Sequence, residues 1–271
     1  AAELWTDAAE AAVREGDFRG ALDHLARALR GTYEPEQEAR LRLLRAQAAF
    51  TLGDYAAVWS EVDAVDALPA LAQVQRADAA YLRARVVMSV EEGASRRAID
   101  LAAEAARLYE GIGDMRGVAL SLARQAICMA YDGDVEAARE VAKRAVAMAD
   151  DTGRTRALDA LALVQLRAGE LLAARDTVQA GLVAAEAAGD LAMLVGLSGD
   201  LGWLHMQLGD FAAAVEALTA VVDRAARIGM AAAEDYGRHN LGMALLRTGD
   251  GGGALAMEED ALIRARTRGD D

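Results

Sequence analysis

Apolar positions recur along this chain at helical spacing, in long segments broken by short glycine-containing phrases. Residues 207–218 read QLGDFAAAVEAL, residues 52–62 read LGDYAAVWSEV, and residues 15–25 read EGDFRGALDHL. Each is a Gly-Asp-aromatic phrase followed by an alanine-rich apolar run. A phrase rewritten at a fixed distance is structural punctuation and not a catalytic loop. The pattern predicts fourteen helices, paired as 2–15 and 17–30, 36–52 and 54–67, 70–91 and 94–110, 114–132 and 134–150, 153–168 and 170–188, 190–208 and 210–228, and 230–248 and 250–267. Pro35 and Pro69 fall in the connectors, where no helix has to continue.

The glycines that mark the phrase are Gly16, Gly53, Gly93, Gly133, Gly169, Gly209 and Gly249, at spacings of 37, 40, 40, 36, 40 and 40 residues. Asp follows five of them (Asp17, Asp54, Asp134, Asp210 and Asp250), Glu170 follows Gly169, and Ala94 follows Gly93. A glycine can end a helix in the left-handed region without a Cβ clash. The Asp that follows can cap the next helix, accepting from its free N–H groups and complementing its dipole. Five residues after each marker stands a small side chain: Ala21, Val58, Ala98, Ala138, Ala174, Ala214 and Ala254. Close approach of the two helices of a hairpin is expected there, because a larger side chain would force them apart.

Composition agrees with an all-α chain. It is 54% hydrophobic, 27% charged and only 4% aromatic, with 2 prolines, so a large core of small side chains is available. The net charge is −14, and Lys143 is the only lysine. With no clustered basic stretch, such a surface repels a phosphate backbone, so direct nucleic-acid binding is not expected. Cys128 stands alone and cannot form an internal disulfide, which fits a reduced, cytoplasmic compartment. No apolar run is long enough to span a membrane, and no signal segment opens the chain. It begins with Ala and stops where an eighth hairpin or a polar capping helix is expected, which suggests a fragment of a larger protein.

The pattern resembles the tetratricopeptide repeat family over essentially the whole chain. Residues 190–228 match best, through Leu201, Gly202, Leu208, Gly209, Phe211 and Ala214. The last hairpin matches through Leu241, Gly242, Gly249 and Ala254, and the first through Trp5, Gly16, Phe18, Ala21 and Ala28. The third to fifth hairpins are weaker, with Ala or Val where the family prefers Gly. Glu258 is polar where an apolar residue is usual, which suggests a looser last hairpin. The period exceeds the family's common one, with extra residues in connectors such as EGIGDMRG and AEAAGDLAM. This long-repeat variant looks like the repeats of bacterial regulators, namely LuxR-type ATP-dependent activators and peptide-sensing quorum regulators, and of kinesin light chains. The resemblance implies one right-handed superhelical solenoid domain over residues 1–271, with about seven hairpins.

In this family the first helix of each hairpin lines a concave groove. The resemblance places Glu10, Gln47, Val87, Ile127, Leu163, Trp203 and Met243 on it, followed one turn later by Val13, Phe50, Val90, Ala130, Leu166, Met206 and Leu246. Arg83, Arg156, Asp159, Arg167, His239 and Arg247 would form a charged rim. Periodicity leaves two placements open for the apolar members: a groove, or ordinary core between helices. In the groove they would suit an amphipathic helix or an apolar peptide, with Trp203 and Met243 as anchors. The Lys and Asn clamp with which co-chaperones of the family hold a C-terminal carboxylate is absent, since Lys143 lies on a second helix and Asn240 is the only Asn.

Other motifs carry no chemistry. GDGGGA at 249–254 lacks the Gly-Lys-Ser/Thr of a phosphate loop, and GIGDMRG at 111–117 lacks dinucleotide-turn spacing. DDTGRTRALD at 150–159 lacks the alternating ligands of a calcium loop. His24, His205 and His239 are isolated, Cys128 has no paired His, and the Glu91/Glu92 and Glu258/Glu259 pairs read as solvated faces. No cofactor, metal or enzymatic activity is expected. The expected function is an interaction or effector-sensing module of a larger bacterial signal-transduction or transcription regulator. Its partners would be a protein or peptide segment or a small effector, and the other domains of its own polypeptide. A stand-alone scaffold is the alternative.

Overall fold

The computed structural model describes residues 2–69, 71–91, 93–151 and 153–268, so Glu92 and Thr152 of the motifs above lie outside the described residues. Fourteen helices follow one another, with no strand among the described residues. They are α1 (Ala2–Glu15), α2 (Phe18–Ala28), α3 (Pro35–Thr51), α4 (Tyr55–Asp66), α5 (Gln73–Val90), α6 (Ser95–Gly111), α7 (Met115–Asp132), α8 (Val135–Met148), α9 (Arg154–Arg167), α10 (Leu171–Ala188), α11 (Leu191–Leu208), α12 (Phe211–Ile228), α13 (Ala231–Thr248) and α14 (Gly251–Arg268). The chain divides into two compact units, Ala1–Glu170 with α1–α9 and Leu171–Asp271 with α10–α14. The division falls between the two helices of the fifth expected hairpin.

The punctuation acts as expected. All seven marker glycines have positive φ, between 70° at Gly93 and 96° at Gly133. Asp17, Asp54, Asp134, Asp210 and Asp250 each accept a hydrogen bond from the backbone N–H three residues on, at 2.8, 3.0, 3.3, 3.2 and 2.8 Å. Glu170 instead accepts from Arg139 Nη1 at 2.8 Å. The long connectors repeat the device: Gly113 and Gly189 have φ of 74° and 65°, and Asp114 and Asp190 cap α7 and α11 at 2.9 and 3.1 Å.

Within the first unit each helix packs on the next, and the odd-numbered helices α3, α5, α7 and α9 also touch in sequence. In the second unit α11 and α13 touch in the same way. The cores are dominated by small side chains. Ala105, Ala126, Ala138, Ala142, Ala145, Ala157 and Ala160 are buried in one cluster with Val118, Leu122 and Val164. Ala21, Val58, Ala98, Ala138, Ala174 and Ala214 are completely buried, as the small-residue rule requires. At Gly202 a Cβ would stand 2.6 Å from Leu218 Cγ, so α11 and α12 meet at a distance that only glycine allows. One period later Glu258 occupies the position of Leu218. Its carboxylate escapes the hairpin interior by pairing with His239 Nδ1 at 2.9 Å.

Candidate functional site

The odd-numbered helices of the first unit carry a continuous surface, and the period of the α-helix decides which residues reach it. On α5, Val74, Asp78, Tyr81 and Arg85 follow at steps of four, three and four, so they share one face. On α7 the same steps give Leu120, Arg124, Ile127 and Tyr131. On α9 the face holds Arg156, Asp159, Leu163 and Arg167. All twelve side chains are half-buried or exposed, while the residues between them are mostly buried.

Between α1, α3 and α5 this surface sinks into a cavity of about 510 Å³, lined among others by Glu10, Arg40, Leu44, Gln47, Val74 and Asp78. Arg40 Nη2 donates to Glu10 Oε1 at 2.7 Å at its edge. Asp78 accepts from the hydroxyl of Tyr109. Burial pushes the Asp78 carboxyl above its ordinary range, against the pull of that hydrogen bond.

Along α5 from the cavity, the charge changes sign. The guanidinium of Arg85 lies 3.8 Å from the centre of the Phe50 ring and 5.8 Å from that of Tyr81. Burial resists ionisation of the Tyr81 phenol, yet the charges of Arg85, Arg156 and Arg124 outweigh it and draw the phenol below its ordinary range. Asp159 sits within the same cluster. Burial raises its carboxyl, and Arg124 and Arg156 oppose the rise. The Nε of Arg124 is buried without a hydrogen-bond partner. The charges of three arginines from three helices thus act on one phenol, and those of two of them on the carboxylate of Asp159. Arg167, further along, stands 5.4 Å from the ring of Tyr131.

In the second unit the equivalent faces are Gly196, Asp200, Trp203 and Gln207 on α11 and Tyr236, His239 and Met243 on α13, with Leu246 and Arg247 beyond. Tyr236, Met243 and Leu246 are exposed by 51%, 42% and 63%, an unusual apolar row on one helix. Arg247 covers the Phe211 ring at 4.3 Å.

Against the sequence expectations, Glu10 and Gln47 line the cavity, and Ile127, Leu163, Arg167, Trp203, His239, Met243 and Arg247 lie on the odd-helix faces. Leu166 is half-buried at the margin. One residue is corrected. Val87 is completely buried and packs against Ala98 and Cys128. The reason is the connector: α5 ends at Val90, three residues before Gly93, whereas α7 runs up to Gly133. Counting back from the glycine therefore turns Val87 outward on paper and hides Tyr81 and Arg85. Met206 is half-buried and packs against the cluster of Ala214, Leu218, Leu241 and Ala244, as Ile127 packs against the core cluster of the first unit. Among the rim residues, Arg83 pairs with Asp66 and Asp63 of α4 instead. Tyr81, Arg85 and Arg124 had no signal in the sequence, because nothing in the order of residues says which of many arginines will meet.

Among the described residues no group of His, Cys, Asp and Glu could hold a metal ion, and no helix is long and apolar enough to cross a membrane.

Residues 198–227 match the family model described as tetratricopeptide repeat. No curated protein sequence matches the chain. Among solved structures, a Rap protein complexed with competence and sporulation factor is similar at a TM-score of 0.73 and 14% identity, covering 91% of this chain and 69% of its own. The apo form of RapI is similar at 0.62 and 11% identity, with 100% and 99% covered. A signal transduction ATPase with numerous domains and a tetratricopeptide repeat sensor, from Pyrococcus horikoshii, is similar at 0.57 and 16% identity. The alignment spans 100% of this chain and 45% of that one. At these identities the likeness concerns the fold.

Proposed function

Taking the chain as a member of the tetratricopeptide repeat superfamily, we propose that it binds a peptide or protein segment on the odd-helix face of its first unit. The observation that carries this reading is the cavity of about 510 Å³ between α1, α3 and α5, on the side where α5 also touches α7 and α7 touches α9. Ligand sites are typically concave surfaces of this size with a few converging polar groups. Ile127, Leu163 and Arg167 would contact the ligand there, and Trp203, His239, Met243 and Arg247 would offer a second patch on the other unit. The wider role is that of the sensing module of a bacterial cytoplasmic regulator in signal transduction or transcription, working without catalysis or cofactor. Ligand binding would favour one of two states of an attached domain. That part rests on the similarity in fold to a Rap protein solved with a bound factor and to a multidomain ATPase whose repeats are called a sensor.

A phage-displayed random peptide library, panned on the purified chain, tests the binding reading. Retained peptides should bind the wild type and a Glu104→Trp variant, altered on the exposed side of α6, and should be lost on Gln47→Trp or Leu163→Glu. Peptides that survive both odd-helix substitutions would move the site elsewhere, and a library that yields no binder would end the reading.

A further inference from the structure

We infer that α14 docks a second copy of this chain, its outward stripe of Leu255, Glu259, Leu262, Ile263 and Arg266 pairing with the same stripe of the copy in antiparallel orientation. The inference concerns the last helix and does not depend on the peptide-binding reading.

The five residues follow at steps of four, three, one and three, so they share one face of the helix. All five are exposed, Leu255, Leu262 and Ile263 by 60%, 51% and 62%. Another face packs on α13, through Ala254 and Met257 against Gly242. Three large aliphatic side chains exposed on adjoining turns gain free energy when another surface covers them.

Comparison with α12, 40 residues earlier, separates this stripe from the ordinary seat of a following helix. Val222 stands at the position of Leu262, is half-buried, and comes within 3.2 Å of where a Cβ on Gly237 of α13 would be. A following helix therefore covers that position. It does not cover the position of Ile263, which on α12 is the exposed Asp223. Nor does it cover those of Glu259 and Arg266, which are the exposed Thr219 and Ala226. On α14 the apolar surface thus extends from the seat of a following helix onto a position that is a solvated carboxylate on α12.

The charges identify the cover. Glu259 and Arg266 lie at equal distances on either side of the Leu262–Ile263 pair, and their separation of seven residues is about 10 Å along the helix. About a two-fold axis through the midpoint, antiparallel copies set Leu262 of one against Ile263 of the other, and Glu259 of each against Arg266 of the other. The stripe is therefore self-complementary, as an isologous contact requires. Parallel pairing would set Glu259 against Glu259 and Arg266 against Arg266. Among the described residues neither side chain has an ion-pair partner, whereas the neighbouring Glu258, Asp260 and Arg264 are bound to α13. The net charge of −14 repels two copies at a distance, so the attraction is local and the dimer is a weak one.

Sedimentation velocity of the whole chain, from about 1 to about 100 μM, reads the association. The wild type should pass from monomer to dimer within that range. Ile263→Asp, Glu259→Arg and Arg266→Glu, all at exposed positions and checked for unchanged helicity, should each weaken the dimer about tenfold or more. An equimolar mixture of Glu259→Arg and Arg266→Glu chains should recover it, because both crossed contacts in that heterodimer join opposite charges. A chain that stays monomeric over the whole range would overturn the inference and leave the stripe to another segment or protein. A dimer that none of the three substitutions weakens would place the interface elsewhere and overturn it too. Loss on Ile263→Asp without recovery in the mixture would overturn the antiparallel pairing.

Discussion

Tyr109, near the end of α6, donates its hydroxyl to the carboxylate of Asp78 on α5, and so ties the inside of the third hairpin to the wall of the cavity. The ring of Tyr109 also fills the space over Gly117, where a Cβ would stand 2.3 Å from its Cδ1. One aromatic side chain thereby sets the spacing of α5, α6 and α7, the helices that bring the arginines together.

Tyr109→Phe keeps the ring and removes the donor. The buried Asp78 then loses the hydrogen bond that favours its charged form, at a cost of about 1–3 kcal/mol. The sign with pH follows from the raised carboxyl. A group whose folded pKa is raised contributes its stability below the unfolded pKa and loses it as pH rises through the folded value. Removing the hydroxyl raises the folded pKa further. The gap between variant and wild type in urea unfolding should therefore be wide at neutral pH and narrower below about pH 4, where the carboxyl is protonated. A gap that does not change with pH would mean that Asp78 is not the group concerned.

Two glycines of α11 should respond in opposite directions. Gly202→Ala forces a Cβ to within 2.6 Å of Leu218 Cγ and should cost about 1–3 kcal/mol. Gly196 is exposed on the same helix with nothing within 4 Å of its Cβ position, so Gly196→Ala should gain up to about 1 kcal/mol through helix propensity. Thermal unfolding followed by circular dichroism reads both. Equal shifts in the two variants would show that close packing of α11 on α12 is not what Gly202 serves.

The hairpins were legible in the sequence because their signals are local. A glycine, the Asp after it and a small residue five positions on lie within a short stretch of chain, and their physical roles do not depend on distant chain. Even the connectors could have been read further, since Gly113-Asp114 and Gly189-Asp190 repeat the phrase and cap helices in the same way. The face of each helix was legible only where the marker abuts the helix. Counting back from Gly133 and Gly209 leads to Ile127 and Trp203, both half-buried, whereas the longer break before Gly93 rotates α5 and leads to the buried Val87. The arginine cluster was not legible at all. Its members lie at 85, 124 and 156, and only the packing of α5, α7 and α9 makes them neighbours.

Cys128 should be chemically silent in the folded protein. Burial pushes its thiol up from 9.0 to about 11, although the charge of Arg124 pulls the other way. Ellman's reagent at mildly alkaline pH should therefore react only as fast as the chain unfolds. The same shift has a stability consequence, because the folded state favours the neutral thiol. That contribution is intact below pH 9 and is lost as pH rises towards about 11. Over that span the wild type should lose roughly 2–3 kcal/mol more than Cys128→Ala. Parallel losses in the two proteins would show that the thiol does not ionise against a burial penalty.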